Sequence, residues 1–189
     1  MPILTAPAVP PGRLSAQPQP LLEGHGLVVR PWRPSDAPVD LHAYTDPAIQ
    51  RWHVRSMVDA DEAAAWIAER HERWQRGAGA DWAVVADDAV VGRVGVNALD
   101  LHEGIGEPAY WVLPAARGRG TAVRALDLLT GWAFGTLGLH RLVLVHSTRN
   151  PASCRVAVRA GYADEGVELA RGLHVDGRHD MHRHALVAP

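Results

Sequence analysis

The chain has 189 residues, 47% of them hydrophobic, with 19 basic and 21 acidic side chains and a net charge of −2. That supplies one sizeable buried core and gives no electrostatic case for nucleic acid or an anionic membrane as a partner. Every basic residue is arginine, so a lysine Schiff base, a P-loop lysine and a Ser-x-x-Lys dyad are all excluded.

Residues 1–23 carry prolines at 2, 7, 10, 11, 18 and 20 and a single cation, Arg13. The spacing leaves no uninterrupted apolar helix, so neither a signal peptide nor a bilayer span is expected. This segment reads as a flexible leader outside the core, with a single domain over 24–189. Residues 27–33 read as a first strand that ends near Pro31. Ser35 or Asp36 then caps a short helix to about Tyr44. A longer helix is predicted over 59–76, with Asp59 as N-cap, Glu62 at capping-box spacing, and Trp66 and Trp74 on its apolar stripe. Trp52 falls outside any stripe.

Beyond Gly77 and Gly79 the hydrophobic period changes to two. Strands are expected over 81–86 and 89–99 around an Asp87-Asp88 turn, and a short strand over 107–113. Pro114 to Gly120 form a polar, glycine-bearing loop that opens a helix over 121–137, which Gly138 stops. Leu142 to Val145 form an apolar run suited to a central strand. Asn150 and Pro151 start a short helix closed by Gly161, and a hairpin turning at Asp176-Gly177 ends the chain. The helix over 121–137 between two strands makes a β-α-β unit, so the fold class is α/β (α+β) with a mixed sheet.

The stretch from Tyr110 to Ala122 carries the most chemistry. A strand delivers Gly118 and Gly120 to a helix N-terminus, where unpaired N–H groups, the helix dipole, Arg117 and Arg119 together suit a phosphate or pyrophosphate. A Rossmann dinucleotide site does not fit, because position 123 is Val and no acidic ribose ligand follows about twenty residues on.

These residues resemble the N-acetyltransferases of the GNAT superfamily. Arg117-Gly118-Arg119-Gly120-Thr121-Ala122 is similar to that family's Q/R-x-x-G-x-G/A acetyl-CoA loop. Glu107-Pro-Ala-Tyr110-Trp111-Val112 resembles the strand before it in the RimJ/RimL branch, which acetylates protein N-termini. Asn150-Pro-Ala-Ser153 with Gly161-Tyr162, the opening Leu27 to Trp32 and the closing Asp176 to Asp180 resemble further segments of that branch, all in order. The resemblance implies a mixed, mostly antiparallel sheet of about seven strands, with two central parallel strands splaying around acetyl-CoA. It implies that the backbone of Trp111, Val112 and Leu113 holds the pantetheine and that Arg117 to Ala122 hold the pyrophosphate. Asn150 and Ser153 would lie near the thioester, and Trp52 and Tyr110 near the amine acceptor.

The implied reaction is direct acetyl transfer to a primary amine, of a protein N-terminus or a small molecule. Glu107 would act as general base, and Ser153 would donate to the departing thiolate as well as capping its helix. The tyrosine that many members place four residues before the final Gly-Phe is Ala157 here. Where some members place a glutamate before the last hairpin, this chain has Gly172, Leu173 and His174, which leaves His174 as an alternative base. A non-catalytic acyl-CoA-binding regulator is the rival reading. The 11 histidines show no H-E-x-x-H spacing, so Asp180, His182 and His184 read as a polar strand face and no metal is expected. Cys154, the one cysteine, excludes an intrachain disulfide and reads as a small buried thiol. It fits a reducing, cytoplasmic setting. The implied assembly is a monomer or homodimer without nucleic-acid or membrane partners.

Overall fold

The computed structural model describes residues 4–189. Its strands are β1 (Leu22–Gly24), β2 (Leu27–Pro31), β3 (Ala80–Ala86), β4 (Ala89–Asp100), β5 (Ile105–Val112), β6 (Arg141–Ser147), β7 (Ala163–His174) and β8 (Gly177–Val187). The helices are α1 (Ala37–Ala43), α2 (Pro47–His53), α3 (Ala60–Gln75), α4 (Thr121–Trp132) and α5 (Pro151–Arg159). One sheet runs in the order β1-β2-β3-β4-β5-β6-β8-β7, antiparallel except where β5 meets β6. It has eight strands instead of about seven, because β1 forms within the segment read as a leader.

Two apolar clusters cover the two faces. On one face Leu126, Leu129 and Trp132 of α4 pack against Trp82, Val84, Val94 and Leu142. On the other, Ala83 and Trp111 meet Trp32, Tyr44, Ile49 and Ile67 from the α1–α3 layer. Strand alternation explains the division, since Trp82 and Ala83 point to opposite faces. Asp59 accepts from the Glu62 N–H as the α3 cap, while the Glu62 side chain reaches back to Val58. The helix over 121–137 is α-helical only to Trp132. A π-turn over Ala133–Leu137 then ends at Gly138, whose φ is +86°.

The leader does not stay outside the core. Residues 1–3 lie outside the described residues, but Val9 and Leu14 belong to the larger cluster, and Ala8 and Val9 donate to the His102 and Leu101 carbonyls. The reason is hydrogen-bond accounting. The indole N–H groups of Trp74 and Trp82 end near the core and need acceptors. The carbonyls of Gln17 and Pro20 supply them, at 3.2 and 2.8 Å.

Candidate active site

β5 and β6 pair only at Ile105–Arg141 and Gly106–Leu142, then separate. The Leu113 N–H donates to the Val91 carbonyl of β4. Strand alternation therefore turns the odd positions of β5 toward β4 and the even positions toward β6. Pro108 is an even position with no N–H to give, so the parallel ladder cannot continue through it. Gly106 marks the closing point: a Cβ there would meet Val96, Leu139 and Leu142 at 2.9–3.1 Å.

The separation leaves a cavity of about 720 Å³. Of the residues anticipated from sequence, Glu107, Tyr110, Trp111, Val112, Arg117, Gly118, Gly120, Thr121, Ala122, Asn150, Ser153 and Trp52 line it. Leu113 and Arg119 do not. Leu113 spends its N–H on Val91, and Arg119 stands exposed on the outside of the loop. Trp111 buries its side chain in the α1–α3 layer and pairs with Arg93 of β4. The free edge of β5 is thus Tyr110 and Val112. Their carbonyls accept from His53 Nε2 and Arg117 Nε, both at 3.0 Å.

At one end of the cavity the chain turns through Gly118 and Gly120, with φ of +75° and +74°. Gly120 is the N-cap of α4 without a side-chain cap. The first N–H groups of that helix therefore have no intrahelical partner, and Gly120, Thr121 and Ala122 line the cavity. Thr121 keeps its hydroxyl on the Ala116 carbonyl, 3.1 Å away, and so braces the loop from beneath. Arg117 is held by Asp46 at 2.7 Å, which ties the loop to the start of α2. The same guanidinium, donating to Asp46, holds that carboxyl below its usual range.

At the other end, the Tyr110 and Ser153 hydroxyls are 2.8 Å apart. Ser153 also donates its backbone N–H to Asn150 Oδ1, so it serves both the α5 cap and the cavity. Burial pushes the Tyr110 phenol up to about 12, so it stays protonated at neutral pH. Tyr110, read from sequence as an acceptor contact, instead sits in the hydroxyl pair on the α4–α5 face. Ala157, where a tyrosine is common in the family it resembles, is fully buried and far from supplying one.

Glu107 lies an odd number of residues from Tyr110 and so points to the opposite, α1–α3 face. Burial raises its carboxyl above the ordinary value, partly offset by Arg171 and Arg183. Trp52, His53 and His174 close this side. Trp52 meets His174 edge-on at 6.1 Å, and the Arg51 carbonyl lies 3.3 Å from His174 Nδ1. The β7–β8 hairpin tip is fastened there by Asp176, which pairs with Arg51 and His179. His53 was not singled out from sequence. Burial and the nearby Arg93 charge hold its imidazole down to about 4, so it is neutral at pH 7. Its signal was only its place beside Trp52.

On the α4–α5 face, beside the cleft, the structure also gathers His146, His182, His184 and Cys154. On the β8 face read as polar, His184 is buried at 1% exposure and His182 is partly buried, while Asp180 stands exposed.

Comparison with known proteins agrees with this geometry. Residues 26–163 match the family model described as acetyltransferase (GNAT) domain. The chain is 25% identical over 174 residues to an uncharacterized N-acetyltransferase, YoaA, of Bacillus subtilis, covering 90% of this chain and 98% of that one. Among solved structures it resembles a RimL ribosomal alpha-N-protein acetyltransferase in complex with coenzyme A. The TM-score is 0.81 at 19% identity, over 89% of this chain and 98% of the other. It also resembles the self-immunity acetyltransferase MccE in complex with acetyl-CoA and AMP. There the TM-score is 0.79 at 18% identity, over 92% and 99% of the two chains.

Proposed function

The chain belongs to the GNAT acetyltransferase family, and from that premise we propose that it transfers acetyl from acetyl-CoA to a primary amine across the gap between β5 and β6. One observation carries the reading. The gap has a glycine-bearing loop at an uncapped helix N-terminus at one end, and at the other it opens between a carboxylate on one face and a hydroxyl pair on the opposite face.

In this reading the diphosphate rests on the N–H groups at Gly118 to Ala122, where the α4 dipole favours negative charge. The pantetheine runs along the free edge at Tyr110 and Val112, and Trp111 contributes through its side-chain anchoring of the strand. The amine enters past Trp52, His53 and His174. Glu107, directly or through water, accepts a proton from the amine as its nitrogen attacks the thioester carbonyl. A splay-side N–H of β5 faces the oxygen on which negative charge develops. The C–S bond then breaks, the Ser153–Tyr110 pair gives a proton to the leaving sulfur and is refilled from water, and the proton held by Glu107 passes to solvent. Since Glu107 and this pair lie on opposite faces of β5, one takes the proton while the other gives it, without contact between them.

A protein or peptide N-terminus is the acceptor class that the RimL likeness favours. The acceptor wall is built by α2 and a hairpin tip, elements that vary easily without disturbing the loop at 117–122. One unpaired cysteine and no disulfide suit a reducing cytoplasm. No helix among the described residues is long and apolar enough to cross a membrane. A screen of amines and N-terminal peptides with acetyl-CoA, following thiol release, tests the reading. Turnover with at least one N-terminal peptide supports it, and no thiol release with any amine refutes it.

A further inference from the structure

We infer that His146, Cys154, His182 and His184 form a closed, four-coordinate site for a borderline-soft divalent transition ion, with Zn²⁺ the best fit. No helical spacing announces it, because three elements build it. In the β6–β8 register His146 stands opposite His182 and Leu144 opposite His184, so all three imidazoles share one face. α5 lies over that face and brings Cys154. One donor atom from each residue falls within 4.8 Å of every other, and Cys154 Sγ is 4.0 Å from His182 Nδ1. Tetrahedral Zn²⁺ with its usual bond lengths needs donor separations of about 3.3–3.7 Å. The site therefore closes around an ion by side-chain shifts of roughly an ångström.

The proton arrangement already suits a metal. His146 Nδ1 donates to the Ser147 carbonyl at 2.9 Å, which leaves the lone pair on Nε2. That Nε2 is buried and without a hydrogen-bond partner. His182 Nε2 donates to the Asp164 carboxylate at 2.9 Å, which leaves Nδ1 free toward the cysteine. A carboxylate behind a ligating imidazole is the usual orienting arrangement. Both ring nitrogens of His184 are buried and unpartnered, and the Tyr162 carbonyl nearby falls short of hydrogen-bond geometry. Buried polar atoms in this state are rare and unfavourable. One ion would satisfy two of them at once, His146 Nε2 and one ring nitrogen of His184.

The donor set selects the ion. One thiolate with three imidazoles disfavours Mg²⁺ and Ca²⁺, which take oxygen ligands. Four protein ligands leave no open position, which marks a structural site. Bound there, the ion clamps α5 to the sheet. Cys154 follows Ser153 in the chain, so the clamp also fixes the helix turn that holds the Ser153 hydroxyl.

The test uses the full chain, stripped with a chelator and titrated with Zn²⁺ or Co²⁺ alone. Expected are binding at one ion per chain, a melting temperature that rises with Zn²⁺ and falls back with chelator, and the intense visible bands of tetrahedral Co²⁺ with a sulfur-to-cobalt charge-transfer band. Cys154→Ser removes the charge-transfer band. Asp164→Asn alters an exposed group that is not itself a ligand and leaves the circular dichroism unchanged, yet weakens Zn²⁺ about 10–100-fold. No saturable binding, the weak bands of octahedral Co²⁺, or equal Zn²⁺ affinity in the wild type and Asp164→Asn overturns the inference. None of these readouts depends on acetyl transfer.

Discussion

Gly120→Ala separates the binding loop from the fold. A Cβ at Gly120 meets nothing within 4 Å, so the methyl group creates no clash in the free protein. What remains is the left-handed backbone at φ +74°, ψ 8°, unfavourable for an L side chain by about 1–2 kcal/mol. At about 2–4 °C per kcal/mol for a chain this size, the melting temperature falls by roughly 2–8 °C and the protein still folds. Coenzyme A binding suffers more, since the methyl stands where the diphosphate must approach the backbone. Losing two charge-assisted hydrogen bonds at about 1.5–3 kcal/mol each weakens affinity by roughly 100-fold or more. Gly131→Ala, in the last turn of α4 before the π-turn and equally free of clashes, is the control. It should stabilise by about 0.5–1 kcal/mol and leave affinity unchanged. Calorimetry with coenzyme A and thermal melting decide. A Gly120→Ala protein that is destabilised as stated but binds coenzyme A within about twofold of wild type would refute the placement of the diphosphate.

Four further outcomes follow. Glu107→Gln should lower the acetylation rate by about 10²–10⁴ with little change in coenzyme A affinity, and equal turnover removes Glu107 as the base. Because burial raises the Glu107 carboxyl, the wild-type rate should fall with acidity at a higher pH than an ordinary carboxylate gives, and the Glu107→Gln variant should lack that limb. Ser153→Ala and Tyr110→Phe should each slow turnover, and the double variant should lose less than the product of the two. Fully multiplicative losses would show that the hydroxyls, 2.8 Å apart, act separately. His53, held down to about 4 against 6.5, binds its proton less readily folded than unfolded. Its contribution to stability is complete above pH 6.5 and is lost as the pH falls toward 4. At about 1.4 kcal/mol per pKa unit that amounts to at most about 3.5 kcal/mol, reduced by the ring's partial exposure. Denaturant melts of wild type and His53→Asn across that range should differ in slope, and parallel pH profiles would rule this out.

Much of this protein is written in local pattern. Period-two runs, the Asp59 and Asn150 caps, the turn at Asp176-Gly177 and the loop at Gly118 and Gly120 each depend on neighbours within a few residues, and each lies where it was expected. Long-range partners are a different matter. Residues 1–23 read as a leader outside the core because their prolines leave no uninterrupted helix, yet two indole N–H groups more than fifty residues away needed carbonyls from this segment. Tyr110 and Glu107 sit three residues apart in sequence, but the pleat assigns them to opposite faces. His146, Cys154, His182 and His184 carry no spacing that a one-dimensional reading would notice. Strand register and the docking of α5 bring them together, and both are set by burial of the whole sheet, which no short segment encodes.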